Sequence, residues 1–344
     1  MPESIFFTGS YTKQESPVGI RACALDTGTG KVRVLHQIEA PNPSYLCFSD
    51  DRKFVFSAYE TSQFDGSYGG AAACRRINPD YSVEFVSHAL TRGRAPCHVS
   101  LSADGKVLFA ANYSDGSVLF ASVGANGELS ERNFIQHEGS SVTPRQTGPH
   151  AHFAREVNGV LYVCDLGIDK VMAYRSRDGY KTIEALTPIT LPPGAGPRHF
   201  YADDGRFFYV LSELSCEVFV YELSSGAFAL RQQLPTCDLG AGKNSCAAIT
   251  ASPCGNWLLA SNRGFDTLRV FRRGGDGLLT DTGAYPCGGR TPRDFAFDPS
   301  GKFILCANQD SGNLSVLSFD AANGAIGQVG SVEMNAPVCV KFVV

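Results

Sequence analysis

Three arginines and one glutamate are the side chains of this sequence best suited to chemistry on an anion. Arg198 and Arg293 each follow a proline, in GPRHF and TPRDF. Glu213 and Arg263 each follow an apolar run, in VLSEL and ASNRG. Three guanidinium groups directed at one place repel one another unless an anion lies among them. The pattern therefore predicts a site for a small anion. Structural salt bridges, with Glu213 as the neutralising partner, are the alternative.

Histidines add groups that can exchange protons. His150 and His152 stand two residues apart in PHAH, so on a strand they would share one face, and His199 directly follows Arg198. A histidine pair of this kind can bind zinc. No third ligand of suitable type is apparent in the sequence, so we expect a structural or acid–base role and no metal site.

Two further sets of polar residues are interpreted as structural. Asp165 and Asp169 lie in CDLGIDK and are expected to form turns rather than to act as acids. Asn112, Asn262 and Asn308 recur at one position of a repeated sequence, so capping of the backbone explains them better than catalysis.

A repeat carries all of these residues. Copies begin at residues 43, 96, 149, 197, 246, 292 and 337, at steps of 45 to 53 residues. Each copy has an alternating apolar run, a turn rich in Asp, Ser and Gly, and a second apolar run, a pattern typical of antiparallel strands. Units of this length with four short strands are propeller blades. We predict an all-β fold: a single seven-bladed β-propeller domain over residues 1–344, with four-stranded antiparallel blades.

The last copy of the repeat is incomplete. PVCVKFVV supplies one strand from Pro337 onward, and the chain then stops. The segments SIFFTGSYT and VGIRACALD, between Ser4 and Asp26, are candidates for the missing strands. Pairing of the two chain ends would close the ring and protect sheet edges that are otherwise exposed.

In a propeller, the first strand of each blade lines the central channel. Counting from the residue that begins each copy, the first channel positions are Ser44, Cys97, His150, Arg198, Ala247, Arg293 and Val338. A second set follows the next strand and contains Tyr113, Leu166, Glu213, Arg263 and Gln309. The frame predicts that the arginines, the glutamate and the histidine converge at one mouth of the channel.

Composition narrows the class of protein. The formal net charge of the 344-residue chain is −4 and no basic run occurs, so nucleic acid is not an expected partner. No apolar stretch is long enough for a membrane-spanning helix, and the first residues lack the pattern of a signal peptide, so we predict a cytoplasmic protein without a membrane partner. The 12 cysteines stand singly without a C-x-x-C pair and are interpreted as buried structural thiols.

The sequence resembles the lactonase family of seven-bladed propellers, which includes 6-phosphogluconolactonases and carboxymuconate cyclases. The resemblance rests on stretches spread over every blade, and GPHAHF, GAGPRHF and ASNRGF are the most specific of them. Phe265, in NRGFD, departs from the small polar residue or histidine that family members often carry there, which would alter the pocket wall.

The resemblance implies an active centre with a histidine, two arginines and a glutamate, which fall on His150, Arg198, Glu213 and Arg263. It also implies that Arg293 and Gln309 line the same cleft, and His152 and His199 are further candidates for substrate binding.

The implied reaction is hydrolysis of a sugar lactone, 6-phosphogluconolactone first, within carbohydrate metabolism and the pentose phosphate pathway, without metal or organic cofactor. His150 or Glu213 would activate water, and Arg198 would stabilise the oxyanion. A carboxymuconate-type cycloisomerase and a lactonase for another lactone are alternatives, because arginines bind carboxylate as well as phosphate. A non-catalytic propeller that serves as an interaction platform is the alternative of another class. The oligomeric state is left open.

Overall fold

The computed structural model describes residues 3–202, 205–238 and 244–343, and the described residues form strands and turns without any helix. The all-β prediction is therefore confirmed, and no helix of the described residues has the length and apolarity needed to span a membrane.

The described residues form seven four-stranded antiparallel sheets, which we call blades 1 to 7, and one two-stranded sheet. The N-terminal strands, which belong to blade 7, are β1 (Glu3–Ser10), β2 (Val18–Asp26) and β3 (Val32–Glu39). Blade 1 contains β4 (Pro43–Phe48), β5 (Phe54–Tyr59), β8 (Ala71–Ile77) and β9 (Val83–Leu90), and a short hairpin of β6 (Gln63–Phe64) and β7 (Ser67–Tyr68) lies between β5 and β8 in the chain. Blade 2 contains β10 (Pro96–Leu101), β11 (Val107–Asn112), β12 (Ser117–Val123) and β13 (Leu129–Gln136). Blade 3 contains β14 (Ala151–Val157), β15 (Val160–Asp165), β16 (Lys170–Arg175) and β17 (Glu184–Thr190).

The remaining strands follow the same order. Blade 4 contains β18 (Pro197–Tyr201), β19 (Phe207–Ser212), β20 (Glu217–Ser224) and β21 (Ala227–Pro235). Blade 5 contains β22 (Ser245–Ala251), β23 (Trp257–Arg263), β24 (Thr267–Arg273) and β25 (Leu279–Pro286). Blade 6 contains β26 (Pro292–Phe297), β27 (Phe303–Asn308), β28 (Asn313–Phe319) and β29 (Ile326–Glu333), and β30 (Pro337–Phe342) is the last strand.

The turn between β10 and β11 shows why the repeat folds in this way. Ser102 Oγ accepts a hydrogen bond from Val107 N at 3.0 Å, and Asp104 Oδ1 accepts one from Lys106 N at 3.1 Å. Gly105 has a φ of 69°, in the left-handed region that glycine adopts without steric cost. Local side chains thus fix the turn, and the two strands pair from Leu101 and Leu108 onward.

Blade 7 joins the two chain ends, in the order β3, β2, β1, β30. Strands β1 and β30 pair antiparallel from Phe6 opposite Phe342 to Ser10 opposite Pro337. The predicted pairing of PVCVKFVV with the N-terminal segments is confirmed. The N-terminal part contributes three strands rather than the two named from the sequence, because β3 forms the outer strand of the blade.

The chain divides into two compact units. The first comprises Met1–Tyr11, Arg21–Leu35 and Arg198–Val344, and the second comprises Thr12–Ile20 and His36–Pro197. In the second unit, Phe56 of blade 1 and Leu108 of blade 2 belong to one buried cluster. In the first unit, residues of blades 4 and 5 form another. Burial of one such side chain stabilises the fold by about 1.5–3 kcal/mol, so blades 1 and 2 stabilise each other within one unit, as blades 4 and 5 do within the other. The single domain over residues 1–344 stays a prediction.

Most first strands carry a β-bulge near their start, and the bulges correct one part of the predicted frame. In β10 and β26 the unpaired residues are Cys97 and Arg293, each directly after the proline that opens the strand. In β14 the unpaired residue is His152, because Ala151 pairs with Asp165 and the strand begins two residues after Pro149. The sequence frame placed His150 at the channel position equivalent to Arg293, and this assignment was wrong by two residues. The bulged residue that is equivalent to Arg293 is His152. Counting from the proline fails here because this proline precedes the strand.

Candidate functional site

Arg198 and Glu213 form a buried ion pair in the first compact unit. Arg198 is the second residue of β18, and Glu213 directly follows β19. Only 4% of Arg198 and 2% of Glu213 are exposed. Arg198 Nη1 donates to Glu213 Oε2, and Arg198 Nε donates to the carbonyl oxygen of Ala247 at 2.9 Å. A charge buried to this degree has to be paired, and this carboxylate is paired.

Arg263 binds the same carboxylate. It ends β23, and its Nη2 lies 3.0 Å from Glu213 Oε2 and donates to the carbonyl oxygen of Cys246 at 2.7 Å. Its buried Nε has no hydrogen-bond partner among the described residues. Burial and the positive charges of Arg198 and Arg293 lower the pKa of Arg263 to about 10, although Glu213 acts in the opposite direction. At neutral pH the guanidinium is therefore still a cation.

Arg293 adds a third positive charge within electrostatic reach of Arg263. It is the bulged residue of β26, and its Nη2 donates to the Tyr11 hydroxyl at 2.8 Å. The guanidinium carbon lies 5.2 Å from the centre of the Tyr11 ring, a cation–π distance. Gln309 follows β27, at the place in blade 6 that Arg263 has in blade 5, and its buried Oε1 has no hydrogen-bond partner within the described ranges.

The four charged side chains form what we call the arginine cluster, defined as Arg198, Glu213, Arg263 and Arg293. Three guanidinium groups and one carboxylate leave a net charge of +2 (3 − 1 = 2) in a largely buried setting. Guanidinium groups bind phosphate and carboxylate through paired, charge-assisted hydrogen bonds. The cluster therefore fits an anionic ligand. Arg198 and Arg263 contact Glu213, and Arg293 lies within electrostatic reach of Arg263. The predicted role of these residues in an active centre stays a prediction.

The second compact unit contains His150. Its backbone N–H donates to Asp165 Oδ1 at 2.7 Å, and its ring stacks on Tyr113 with 4.6 Å between the ring centres. His150 Nδ1 lies 2.8 Å from the Tyr113 carbonyl oxygen, which can only accept, so Nδ1 carries a proton. In the neutral ring the lone pair is then on Nε2, the atom that would take a proton from water.

His152 and His199 are both buried. His152 is 4% exposed and packs edge-on against the Tyr113 ring at 5.6 Å, and its carbonyl oxygen accepts a weak hydrogen bond from Cys97 Sγ at 3.5 Å. His199 is 5% exposed and lies next to Arg198 in β18. Contact of either histidine with a substrate stays a prediction.

Sequence reasoning did not select several residues that contact these side chains. Tyr11 has no motif around it and contacts Arg293 across 282 positions of the chain. Arg145, in the segment between β13 and β14, donates from Nη2 to the Tyr113 hydroxyl at 2.8 Å and lies outside the repeat frame. Phe265, the departure from the family pattern, is 36% exposed, and its N–H donates to Asn244 Oδ1 at 3.3 Å.

No group of three or more His, Cys, Asp or Glu side chains in the described part of the chain is arranged to hold a metal ion. The 12 cysteines are thiols rather than disulfides, and ten of them are buried.

Comparison with known proteins places this geometry in a family. Residues 5–342 match the family described as "Lactonase, 7-bladed beta-propeller". A 6-phosphogluconolactonase of Bacillus subtilis is 33% identical, over 99% of each chain, and a 6-phosphogluconolactonase of Formosa agariphila is 30% identical, over 93% of this chain and 94% of its own. The structure of a periplasmic gluconolactonase from Pseudomonas aeruginosa superposes with a TM-score of 0.94 at 34% identity, over 100% of this chain and 99% of the other.

The predicted fold, a seven-bladed β-propeller, is thereby confirmed, and an enzyme is favoured over an interaction platform. With its seven four-stranded blades and its match over residues 5–342, the chain belongs to the lactonase family of seven-bladed β-propellers and is a lactonase.

Proposed function

We propose that this lactonase hydrolyses 6-phosphogluconolactone to 6-phosphogluconate. The observation that supports the phosphorylated substrate is the net charge of +2 in the arginine cluster, since a phosphate monoester carries close to two negative charges at neutral pH. The names of two relatives point to the same substrate.

In the proposed reaction, water attacks the lactone carbonyl carbon, and the bond from that carbon to the ring oxygen breaks. The attacking water gives up a proton to the base, and the ring oxygen takes up a proton to become a hydroxyl group. Arg198 stabilises the oxyanion of the tetrahedral intermediate, and Arg263 and Arg293 bind the phosphate. Loss of one oxyanion donor raises a barrier of this kind by about 3–4 kcal/mol.

For the base we propose His150 rather than Glu213. Glu213 Oε2 is already shared by the guanidinium groups of Arg198 and Arg263. His150 donates its Nδ1 proton to the Tyr113 carbonyl oxygen, which leaves the lone pair on Nε2.

The first experiment measures hydrolysis of freshly generated 6-phosphogluconolactone, with the spontaneous rate subtracted, by the wild type and by Arg198→Ala. We expect activity in the wild type and at least a tenfold loss in the variant, which is about 1.4 kcal/mol of barrier. Arg206→Ala is the matched control, because Arg206 lies in the same blade and pairs with Glu222 at the surface. A folded wild type without activity above background would refute the proposed substrate.

An unphosphorylated sugar lactone is the second candidate, favoured by the gluconolactonase named among the similar structures. The variants Arg263→Gln and Arg293→Gln separate the two candidates. If these arginines bind the phosphate group of the natural substrate, both variants raise KM for the phosphorylated lactone and leave kcat/KM for gluconolactone nearly unchanged. Equal effects of each variant on both substrates would favour the unphosphorylated lactone as the natural substrate. The same two variants can be assayed with carboxymuconate to test the cycloisomerase alternative.

The cytoplasmic location also remains a proposal, since one similar protein is named as periplasmic.

A further inference from the structure

Blades 2 and 5 are tied to the preceding blade by an asparagine near the end of the second strand. Asn112 Nδ2 donates to the carbonyl oxygen of Thr91 at 3.0 Å, and Asn262 Nδ2 donates to that of Thr236 at 2.8 Å. Each threonine directly follows the fourth strand of the preceding blade. The interpretation of these asparagines as backbone caps is confirmed at both positions.

Blade 3 carries an ionisable pair at the same two positions. Asp165 ends β15 and pairs with Ala151, as Asn112 ends β11 and pairs with Pro96. His137 follows β13, as Thr91 follows β9. His150 lies immediately before β14, the first strand of blade 3.

The pair is completely enclosed. His137 Nδ1 lies 2.6 Å from Asp165 Oδ2, and 1% and 0% of the two side chains are exposed. A neutral threonine–asparagine pair joins blades elsewhere in this chain, and burial of a carboxylate is costly unless its oxygens are fully hydrogen-bonded. The need to join two blades therefore does not explain why this position carries an aspartate rather than an asparagine.

The second oxygen of Asp165 indicates what the carboxylate adds. Oδ1 accepts the backbone N–H groups of His150 at 2.7 Å and of Gly167 at 3.0 Å. The carbonyl oxygen of His150 in turn accepts the N–H of Leu166 at 3.0 Å. Both backbone polar groups of His150 are thus held by the turn that begins at Asp165, while its ring is held by Tyr113.

We propose that Asp165, anchored by His137, is a positioning residue that holds the imidazole of His150 in its Nδ1–H form for the lactonase reaction. The proposal rests on the role of His150 in the proposed function. Asp165 acts through the backbone of His150: without it, the residue is free to move away from the Tyr113 carbonyl oxygen, and the ring is no longer confined to one tautomer. Asp165 also forms the turn that was expected of it, through its bond to the N–H of Gly167, and it does not act as an acid in this proposal.

Kinetics of Asp165→Ala, Asp165→Asn and the control Asn308→Ala test the proposal. Asn308 ends the second strand of blade 6, at the repeat position of Asp165, and it donates to Ser315 rather than to a histidine segment. We expect Asp165→Ala to lower kcat by at least about tenfold, with KM within about twofold because the arginine cluster is intact. Asp165→Asn keeps an acceptor oxygen and restores most of kcat, and Asn308→Ala lowers stability but leaves kcat in place.

A second readout does not depend on activity. The chain has seven histidines, so selective ¹⁵N labelling gives few imidazole signals, and His150→Gln assigns the signal of interest. We expect one Nδ1–H tautomer for His150 in the wild type and a mixture in Asp165→Ala. If the wild type hydrolyses no lactone, the proposed function fails on its own and the tautomer still decides the positioning role.

The proposal is overturned if Asp165→Ala keeps both kcat and the single tautomer, or if Asn308→Ala loses as much kcat as Asp165→Ala. Should Asp165→Ala not fold, His137→Thr replaces it, because threonine occupies that position in blades 1 and 4. This variant removes the ring that holds Asp165 Oδ2, so we expect kcat and the tautomer to change in the same direction, and no change in either would again overturn the proposal.

Discussion

Replacement of Glu213 by glutamine removes the only negative charge of the arginine cluster. The carboxylate is 2% exposed and is shared by the guanidinium groups of Arg198 and Arg263. Loss of one partner from a buried ion pair costs about 3–5 kcal/mol, because the other charge stays buried without compensation. We therefore expect the free energy of unfolding of Glu213→Gln to fall by this amount.

The expected shift in melting temperature follows from chain length. An unfolding entropy of about 2.1 cal/mol/K per residue gives roughly 0.7 kcal/mol/K for this chain. The loss then corresponds to a decrease in Tm of about 4–7 °C. Differential scanning calorimetry in a buffer free of phosphate measures it. Glu222→Gln is the matched control: Glu222 also pairs with two arginines, Arg206 and Arg231, but these are exposed, so its Tm should change far less.

A bound anion should compensate for the lost carboxylate. The net charge of the arginine cluster rises from +2 to +3 in Glu213→Gln, so saturating 6-phosphogluconate should raise the Tm of the variant more than that of the wild type. An unchanged Tm in Glu213→Gln, or an equal increase in both proteins on addition of the ligand, would show that Glu213 does not neutralise an anion site.

Three further predictions concern single residues. Because the pKa of Arg263 is lowered to about 10, the affinity for 6-phosphogluconate should fall as pH rises through 10. Above this pH the guanidinium loses its charge, so the cost of burying a cation no longer reduces the stability of the fold. Calorimetric titration of the ligand should show this pH dependence of affinity in the wild type and not in Arg263→Gln. In Gly167→Ala, the added Cβ would lie 1.9 Å from the carbonyl oxygen of Gly148, so the segment that leads to His150 must shift. Both Tm and kcat should therefore decrease relative to Gly330→Ala, where the added Cβ meets nothing. In the wild type, the N–H of Gly196 donates to Asp169 Oδ1 at 2.7 Å, and Asp169→Ala removes this acceptor. Urea unfolding should show that the free energy of unfolding falls by at least about 2 kcal/mol.

The repeat made most of the fold predictable. Alternation of apolar residues and the Asp, Ser and Gly turns are local features, so the strands and their order could be inferred from short stretches of chain. Six of the seven first strands begin within one residue of the predicted start, and the exception is β14, which begins at Ala151 rather than at Pro149. The choice of Arg198, Glu213, Arg263 and Arg293 was possible for the same reason, because residues at one repeat position occupy equivalent places in their blades.

The tertiary structure alone decided which of these groups contact one another. The sharing of Glu213 by two arginines, the contact of Arg293 with Tyr11 and the enclosure of His137 with Asp165 join residues that are far apart in the chain. No local pattern encodes such contacts. The bulge at His152 is of the same kind, because an unpaired residue is defined by its partner strand and not by its own neighbours. The sequence by itself therefore determined the blades and the types of residue at their ends, whereas pairing between strands and between blades decided which side chains meet.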